Sequence, residues 1–142
     1  MSKKILIVED DGNIRELLRL YLEREGYEIT EAANGEEGVE LWRKINPDMI
    51  LLDVMMPIMD GWQVCKIIRK ESKVPIIIMT AKGETFDKVN GLEMGADDYI
   101  VKPLEMREVI ARVRAIFRRL APEDSGKISF DKLTVDKQAY DL

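Results

Sequence analysis

The chain has 142 residues, with 22 Lys and Arg, 27 Asp and Glu, a formal net charge of −5 and no histidine. A chain of this length can bury about two thirds of its unfolded surface, which is enough for one domain with its own hydrophobic core. The missing histidine excludes Ser-His and Cys-His catalysis, a histidine zinc site and phosphohistidine chemistry on this chain. The single cysteine, Cys65, excludes an internal disulfide and suits a reducing compartment.

The apolar segments are too short to cross a bilayer, which takes about 20 apolar residues. The first of them turns acidic at Glu9, before it reaches the length of a signal peptide. The sequence therefore predicts a cytoplasmic protein with no membrane partner. The acidic net charge argues against non-specific nucleic-acid binding by the whole surface.

Five short, mostly apolar segments predict strands at residues 5–8, 28–32, 49–52, 76–79 and 99–101. Four of them are apolar enough to be buried on both faces of a parallel sheet. Helical spacing or position predicts a helix after each strand, at residues 13–25, 35–45, 61–70, 84–94 and 105–119. This alternation predicts an α/β fold with a doubly wound, five-stranded parallel sheet and helices on both faces.

The alternation of strands and helices stops near residue 121, so residues 1–121 are predicted to form the first domain. Residues 122–126 read PEDSG and predict a linker. Residues 127–142 contain two short alternating stretches that predict small strands, too few to fold alone.

The predicted strands place several reactive side chains at one edge of the sheet. Glu9 and Asp10 follow the first strand, Asp53 the third, Thr80 the fourth and Lys102 the fifth. In open α/β sheets, ligands bind outside the carboxyl ends of the strands. Crowded carboxylates raise a pKa unless a cation intervenes, and Mg²⁺ prefers oxygen ligands. Carboxylates, a hydroxyl and an ammonium together suit phosphoryl transfer, in which an Asp can itself be the nucleophile.

Each of these residues, taken alone, is more often a helix cap or a surface charge. Asp11, for example, is expected to cap the first helix or to lie just outside the site. The joint pattern of residue types and strand order favours the chemical interpretation.

Four segments resemble the motifs of the receiver domain of bacterial two-component response regulators. They are ILIVEDD at 5–11, LLDVMMPIMDG at 51–61, IMTA at 78–81 and GADDYIVKP at 95–103. They occur in order and with suitable spacing. The last segment and the basic final helix resemble the OmpR/PhoB subfamily, whose effector is a winged-helix domain. The resemblance implies a flavodoxin-like fold, as in CheY-like receivers.

The resemblance implies that Asp53 is the phosphoacceptor. It implies that Mg²⁺ (or Mn²⁺) binds to Glu9, Asp10, Asp53 and the backbone carbonyl of Met55. Thr80 would bind a phosphoryl oxygen and shift on activation.

The resemblance also implies roles for residues around this centre. Lys102 would pair with the acyl phosphate, and Pro103 would follow a cis peptide bond. Tyr99 would turn inward when Thr80 moves. The side chains of Met55 and Lys82 would tune the access of water.

In OmpR/PhoB-like receivers, one face forms a twofold dimer after phosphorylation. Complementary charges would pair Lys88 with Glu108, Asp98 with Arg112 and Asp97 with Arg119 across the two chains, as an isologous dimer requires. Without the resemblance, a solvated charged face would be favoured. The predicted dimer face comprises Lys88, Val89, Leu92, Glu93, Asp97, Asp98, Glu108, Ala111, Arg112, Ala115 and Arg119.

The sequence thus predicts a phosphoacceptor switch rather than an enzyme, with a sensor histidine kinase as its partner. In a full-length parent the output would be control of transcription. Residues 127–142 resemble only the opening strands of the winged-helix domain, so DNA binding by this chain is in doubt. A piece of a longer regulator and a short natural protein both fit the sequence.

Three alternatives fit less well. A haloacid-dehalogenase-type phosphatase usually has an Asp two residues after its nucleophile, where this chain has Met55. A stand-alone receiver would regulate a protein partner without DNA. A flavodoxin-like cofactor binder would need a phosphate-cradling loop where this chain has the acids at 9–11.

Overall fold

A computed structural model describes residues 2–56, 58–81 and 95–120. Its strands are β1 (Lys4–Val8), β2 (Glu28–Ala32), β3 (Met49–Asp53), β4 (Ile76–Ala81) and β5 (Asp98–Lys102). Its helices are α1 (Gly12–Arg24), α2 (Gly35–Ile45), α3 (Gly61–Arg69) and α4 (Met106–Leu120). The helix predicted at 84–94 and the segments predicted at 122–126 and 127–142 lie outside the described residues.

The five strands form one parallel sheet in the order β2-β1-β3-β4-β5. This confirms the predicted doubly wound five-stranded sheet. The chain order reverses between β1 and β3, and in such sheets the crevice at the reversal is the usual ligand site.

Both faces of the central strands are buried. Successive side chains of a strand point to opposite faces, and Ile5 through Val8 are each fully buried. Leu6 and Val8 belong to a cluster that includes Val39 of α2 and Val64 of α3. Ile5 and Ile7, which alternate with these residues along β1, are also buried. Burial on both faces accounts for strands that are apolar throughout.

The helices α1, α2 and α3 begin at side-chain caps. The Asp11 carboxylate accepts hydrogen bonds from the backbone N–H groups of Asn13 and Ile14, at 2.9 and 3.3 Å. Asn34 caps α2. Asp60 and Gln63 form a reciprocal capping box at the start of α3. The cap expected at Asp11 is therefore confirmed, and α1 begins one residue earlier than predicted.

The chain divides into two compact units, residues 1–112 and the residues from Val113 onward. The contacts described below lie within the first unit. The domain boundary predicted at residue 121 stays a prediction. No helix in the described ranges has the length and hydropathy that a membrane crossing requires.

Candidate functional site

Four strands bring the predicted site residues to one edge of the sheet. Glu9 and Asp10 follow β1, Asp53 ends β3, Thr80 lies next to the end of β4, and Lys102 ends β5. Asp53 is in register with Met79, the residue before Thr80. The parallel pairing thus brings three carboxylates, a hydroxyl and an ammonium to the same edge, as the sequence predicts.

Glu9, Asp10 and Asp53 form an acid cluster. One carboxylate oxygen from each lies within 4.8 Å of the others. Glu9 and Asp53 are buried, whereas Asp10 is exposed. Burial, reinforced by the negative charge of Asp53, raises the pKa of Glu9 from 4.5 to about 7, although bonds from Lys102 and the Asp11 N–H act in the opposite direction. A raised pKa in this cluster is what the crowded carboxylates predict.

Lys102 places a positive charge against this cluster. Its Nζ donates a hydrogen bond to Glu9 Oε1 at 2.9 Å and lies 3.5 Å from Asp53 Oδ2. Burial lowers the pKa of Lys102, but the bond to Glu9 and the charges of Glu9 and Asp53 outweigh this effect, and the pKa is raised. Lys102 is therefore a protonated contact of the two buried acids.

The Thr80 hydroxyl lacks a partner. Thr80 is 1% exposed, and among the described side chains its Oγ1 is the one buried polar atom without a hydrogen bond. A buried polar group left unpaired costs about 1–3 kcal/mol. A hydroxyl held in this way is suited to bonding an oxygen that arrives at the sheet edge.

The loop after β3 holds Asp53 in place. The Met55 N–H donates to Asp53 Oδ1 at 3.0 Å, and the Gly61 N–H donates to the Val54 carbonyl at 3.3 Å. A Cβ atom on Gly61 would lie 2.4 Å from the Asp53 carbonyl oxygen. Glycine at this position lets the start of α3 approach the backbone of β3 closely.

The donor set of the cluster fits a hard divalent cation. Mg²⁺ binds oxygen ligands through one or two protein carboxylates and keeps several waters. Here two buried carboxylates lie beside one exposed carboxylate, all within reach of a single ion. Asp10, being exposed, is the member of the set that faces solvent.

Tyr99 and Pro103 lie on and next to β5. Tyr99 is half-buried and packs against the core cluster of residues that includes Val64 and Ile68. The Lys102–Pro103 peptide bond is cis. Of the positions predicted to flank the site, Met55 is 59% exposed, and Lys82 lies outside the described residues.

The predicted dimer face is described only in part, since Lys88, Val89, Leu92 and Glu93 lie outside the described residues. Arg112 Nη1 lies 2.8 and 2.9 Å from the two carboxylate oxygens of Asp98 in the same chain. Arg112 also bonds Glu108.

Asp97, another member of that face, is engaged within the chain as well. Its Oδ2 accepts bonds from Arg69 Nη2 at 3.0 Å and from the Ile76 N–H at 2.8 Å. Both predicted aspartates of the face therefore already have partners within one chain. The remaining described members, Ala111, Ala115 and Arg119, lie on α4.

Three residues with specific contacts or an unusual backbone conformation escaped the sequence-based predictions. Arg15 bonds the backbone carbonyl of Glu9, and Arg69 bonds the carbonyl of Gly95. Ile58 is fully exposed with a φ of 70°, a left-handed conformation that is unusual for a β-branched residue. The arginines occupy ordinary helical positions, so only their three-dimensional contacts distinguish them.

The comparisons with known proteins agree with this geometry. The family model described as the response regulator receiver domain matches residues 5–114. The transcriptional regulatory protein SrrA of Staphylococcus aureus is 49% identical over 99% of this chain and 61% of its own length. The transcriptional regulatory protein AfsQ1 of Streptomyces coelicolor is 47% identical over 95% of this chain and 60% of its own length. The chain thus spans about three fifths of these curated relatives.

Solved structures show the same fold. A two-component response regulator from Clostridium difficile is 36% identical, with a TM-score of 0.82 over 85% of this chain and all of that chain. The receiver domain of a Francisella response regulator is 36% identical, with a TM-score of 0.80 over 84% of this chain and all of that chain.

Proposed function

Because the chain belongs to the response regulator receiver domain family, we propose that Asp53 accepts a phosphoryl group from a histidine of a sensor histidine kinase. The observation that carries this proposal is the environment of Asp53, a buried carboxylate beside Lys102 and two further acids at the carboxyl edge of the sheet. The chain itself has no histidine. The phosphodonor is therefore a histidine outside these 142 residues or a small phosphorylated molecule.

The transfer is a substitution at phosphorus. A carboxylate oxygen of Asp53 forms the new P–O bond as the P–N bond to the donor histidine breaks, and the histidine leaves with the electron pair of that bond. Lys102, 3.5 Å from Asp53, pairs with the negative charge of the acyl phosphate that results.

Glu9, Asp10 and Asp53, together with the Met55 carbonyl, would hold Mg²⁺ at this edge. When bound, the ion neutralises charge on the phosphoryl oxygens. The chain's own residues would supply the ligand atoms and the neighbouring positive charge. Glu9 and Asp53 supply buried carboxylate oxygens, and Lys102 stays charged beside them.

The unpartnered hydroxyl of Thr80 supports a switch. A phosphoryl group on Asp53 offers this hydroxyl an acceptor, so Thr80 would move toward the group. Tyr99, half-buried on the neighbouring strand β5, would turn into the space that Thr80 leaves. Phosphorylation would in this way change the surface near β5.

The output would be a homodimer formed through the face of residues 84–94 and 105–119. In the full-length parent, as the transcriptional regulators among its relatives suggest, this dimer would control transcription through a DNA-binding effector domain of the OmpR/PhoB type. The chain would act in the cytoplasm, where its buried thiol at Cys65 stays reduced. The switch would be reset by hydrolysis of the acyl phosphate, which the domain itself assists.

Mass spectrometry tests the proposal. The chain is incubated with acetyl phosphate and Mg²⁺, and its intact mass is recorded beside that of Asp53→Ala. A single phosphoryl adduct on the wild type that is missing from the variant supports the proposal. Rapid turnover of unrelated phosphomonoesters would instead indicate a phosphatase, the rival that Met55 already disfavours.

A further inference from the structure

We infer that Arg15 is a positioning residue for the acid cluster, and that its bond to the Glu9 carbonyl fixes the turn that presents Asp10 to a divalent cation. The inference rests on the proposed function, in which Glu9, Asp10 and Asp53 bind Mg²⁺.

Arg15 forms a bridge between two strand ends. Its Nη1 donates to the Glu9 backbone carbonyl at 2.7 Å, and its Nε donates to Glu31 Oε1 at 3.1 Å. Glu31 lies on β2, in register with Ile7 of β1. The Arg15 side chain is only 21% exposed, so packing limits the positions that its guanidinium can take.

The bond from Arg15 completes a series of contacts around Asp10. The Glu9 N–H donates to the Ala32 carbonyl at 3.1 Å, and the Asp11 N–H donates to Glu9 Oε2 at 3.1 Å. The Asp11 side chain caps α1. The Glu9 carbonyl immediately precedes Asp10, and Arg15 is its partner. The backbone is therefore held on both sides of Asp10, whose exposed carboxylate takes its direction from this turn.

Arg19 supplies a matched control one helical turn further along α1. It also pairs with Glu31, and it pairs with Glu23 at 3.1 Å. The hydrogen bonds described for Arg19 go to these two carboxylates, whereas one of the two described for Arg15 reaches the Glu9 carbonyl at the site. Removing either arginine removes one positive charge from the same face of the protein.

A positioning role and a purely electrostatic role of Arg15 predict opposite changes in Mg²⁺ affinity when this residue is replaced. If only charge mattered, removing an arginine would reduce the repulsion of a cation and tighten Mg²⁺ binding. If Arg15 positions the turn, Arg15→Met should weaken Mg²⁺ binding by about 10-fold, the usual loss when a group that orients metal ligands is removed. Arg15→Lys keeps a cationic donor for the Glu9 carbonyl and should recover most of the affinity.

The test is a titration of the full ¹⁵N-labelled chain with MgCl₂, in which the backbone amide chemical shifts report Mg²⁺ binding. Wild type, Arg15→Met, Arg15→Lys and Arg19→Met are compared. Weaker binding in Arg15→Met, with recovery in Arg15→Lys and no weakening in Arg19→Met, supports the inference. Equal or tighter binding in Arg15→Met overturns it, as does equal weakening in both methionine variants.

Two further outcomes keep the test decisive. If Arg15→Met does not fold, Glu31→Ala takes its place, because Glu31 holds the guanidinium of Arg15. Glu23→Ala is its control, because it removes the same charge from a partner of Arg19. Equal Mg²⁺ affinity in these two variants overturns the inference. If the wild type itself shows no saturable binding, the proposed function fails, and this is seen before any variant is measured.

Discussion

Lys102 Nζ lies 2.9 Å from Glu9 Oε1, although 93 positions separate the two residues in the chain. The contact joins the residue after β1 to the end of the edge strand β5, and two strands, β3 and β4, lie between β1 and β5 in the sheet. It gives the buried acids a counter-charge within the chain itself. Glu9 nevertheless keeps a pKa of about 7, because burial outweighs the hydrogen bond from Lys102.

The raised pKa of Glu9 predicts a pH dependence of stability. The folded state binds a proton at Glu9 more tightly than the unfolded state, whose Glu9 has a pKa near 4.5. The stability from this group is therefore complete below pH 4.5 and is lost as the pH rises to about 7. In EDTA, we expect the Tm of the wild type to fall across this interval relative to the Tm of Glu9→Gln.

Differential scanning calorimetry at a series of pH values measures this difference. The Glu9→Gln variant is the control, because it keeps the shape of the side chain and cannot titrate. A Tm difference between the two proteins that is constant from pH 4.5 to 7 would rule out a raised pKa at Glu9.

Thr80→Val should stabilise the unphosphorylated protein. The substitution replaces a buried hydroxyl that has no hydrogen-bond partner with a methyl group of similar size. We expect the free energy of unfolding in urea to rise by about 1 kcal/mol. Thr30→Val, at a half-buried site on β2, is the control and should change it less.

The same Thr80→Val variant should separate phosphorylation from switching. Asp53 and its charged neighbours are unchanged, so acetyl phosphate should still modify the protein. The change in oligomeric state that follows in the wild type should be lost. A variant that switches normally would show that the Thr80 hydroxyl has no part in the switch.

Gly61→Ala should destabilise the fold. The new Cβ would lie 2.4 Å from the Asp53 carbonyl oxygen and 2.7 Å from the Val54 Cα, and neither backbone atom can move cheaply. We expect a loss of about 2 kcal/mol in the free energy of unfolding. Gly12→Ala is the control, since its Cβ would meet only the end of the Arg15 side chain, at 3.5 Å.

Periodicity was sufficient to predict the sheet and the residues at its edge. Strands such as 5–8 and 49–52 are apolar throughout, and the polar residue after each marks the point where the strand leaves the core. Crowded acids also predict the direction of the pKa shift at Glu9, although burial is its largest cause. These features depend on residue types and chain order alone.

The contacts of the arginines could not be predicted in the same way. Arg15 and Arg69 look like ordinary helix-surface residues. Each bonds a backbone carbonyl as well as a carboxylate, and a carbonyl partner leaves no trace in the sequence. The pairing of Asp98 with Arg112 across two chains stays a prediction, and within one chain Arg112 Nη1 lies 2.8 Å from Asp98 Oδ1. Complementary charges predict that two residues attract each other, but not which copy of the chain supplies the partner.

The proposed dimer predicts the effect of Ala111→Arg. Ala111 is exposed on α4, so the substitution should leave the monomer folded while placing a bulky charge in the face. With Mg²⁺ and beryllofluoride, multi-angle light scattering should give a dimer for the wild type and a monomer for this variant. Ala33→Arg, exposed on the loop before α2, should still dimerise. A wild type that stays monomeric at high concentration would refute the dimer.

The most direct measurement of the central claim is chemical trapping of the acyl phosphate. The chain is phosphorylated with acetyl phosphate and Mg²⁺, reduced with sodium borohydride, digested and sequenced by tandem mass spectrometry. Borohydride converts an aspartyl phosphate to homoserine, so the account predicts homoserine at position 53 and at no other aspartate. Homoserine at Asp10 or Asp11, or no reduction at Asp53 under conditions that phosphorylate the chain, would contradict it.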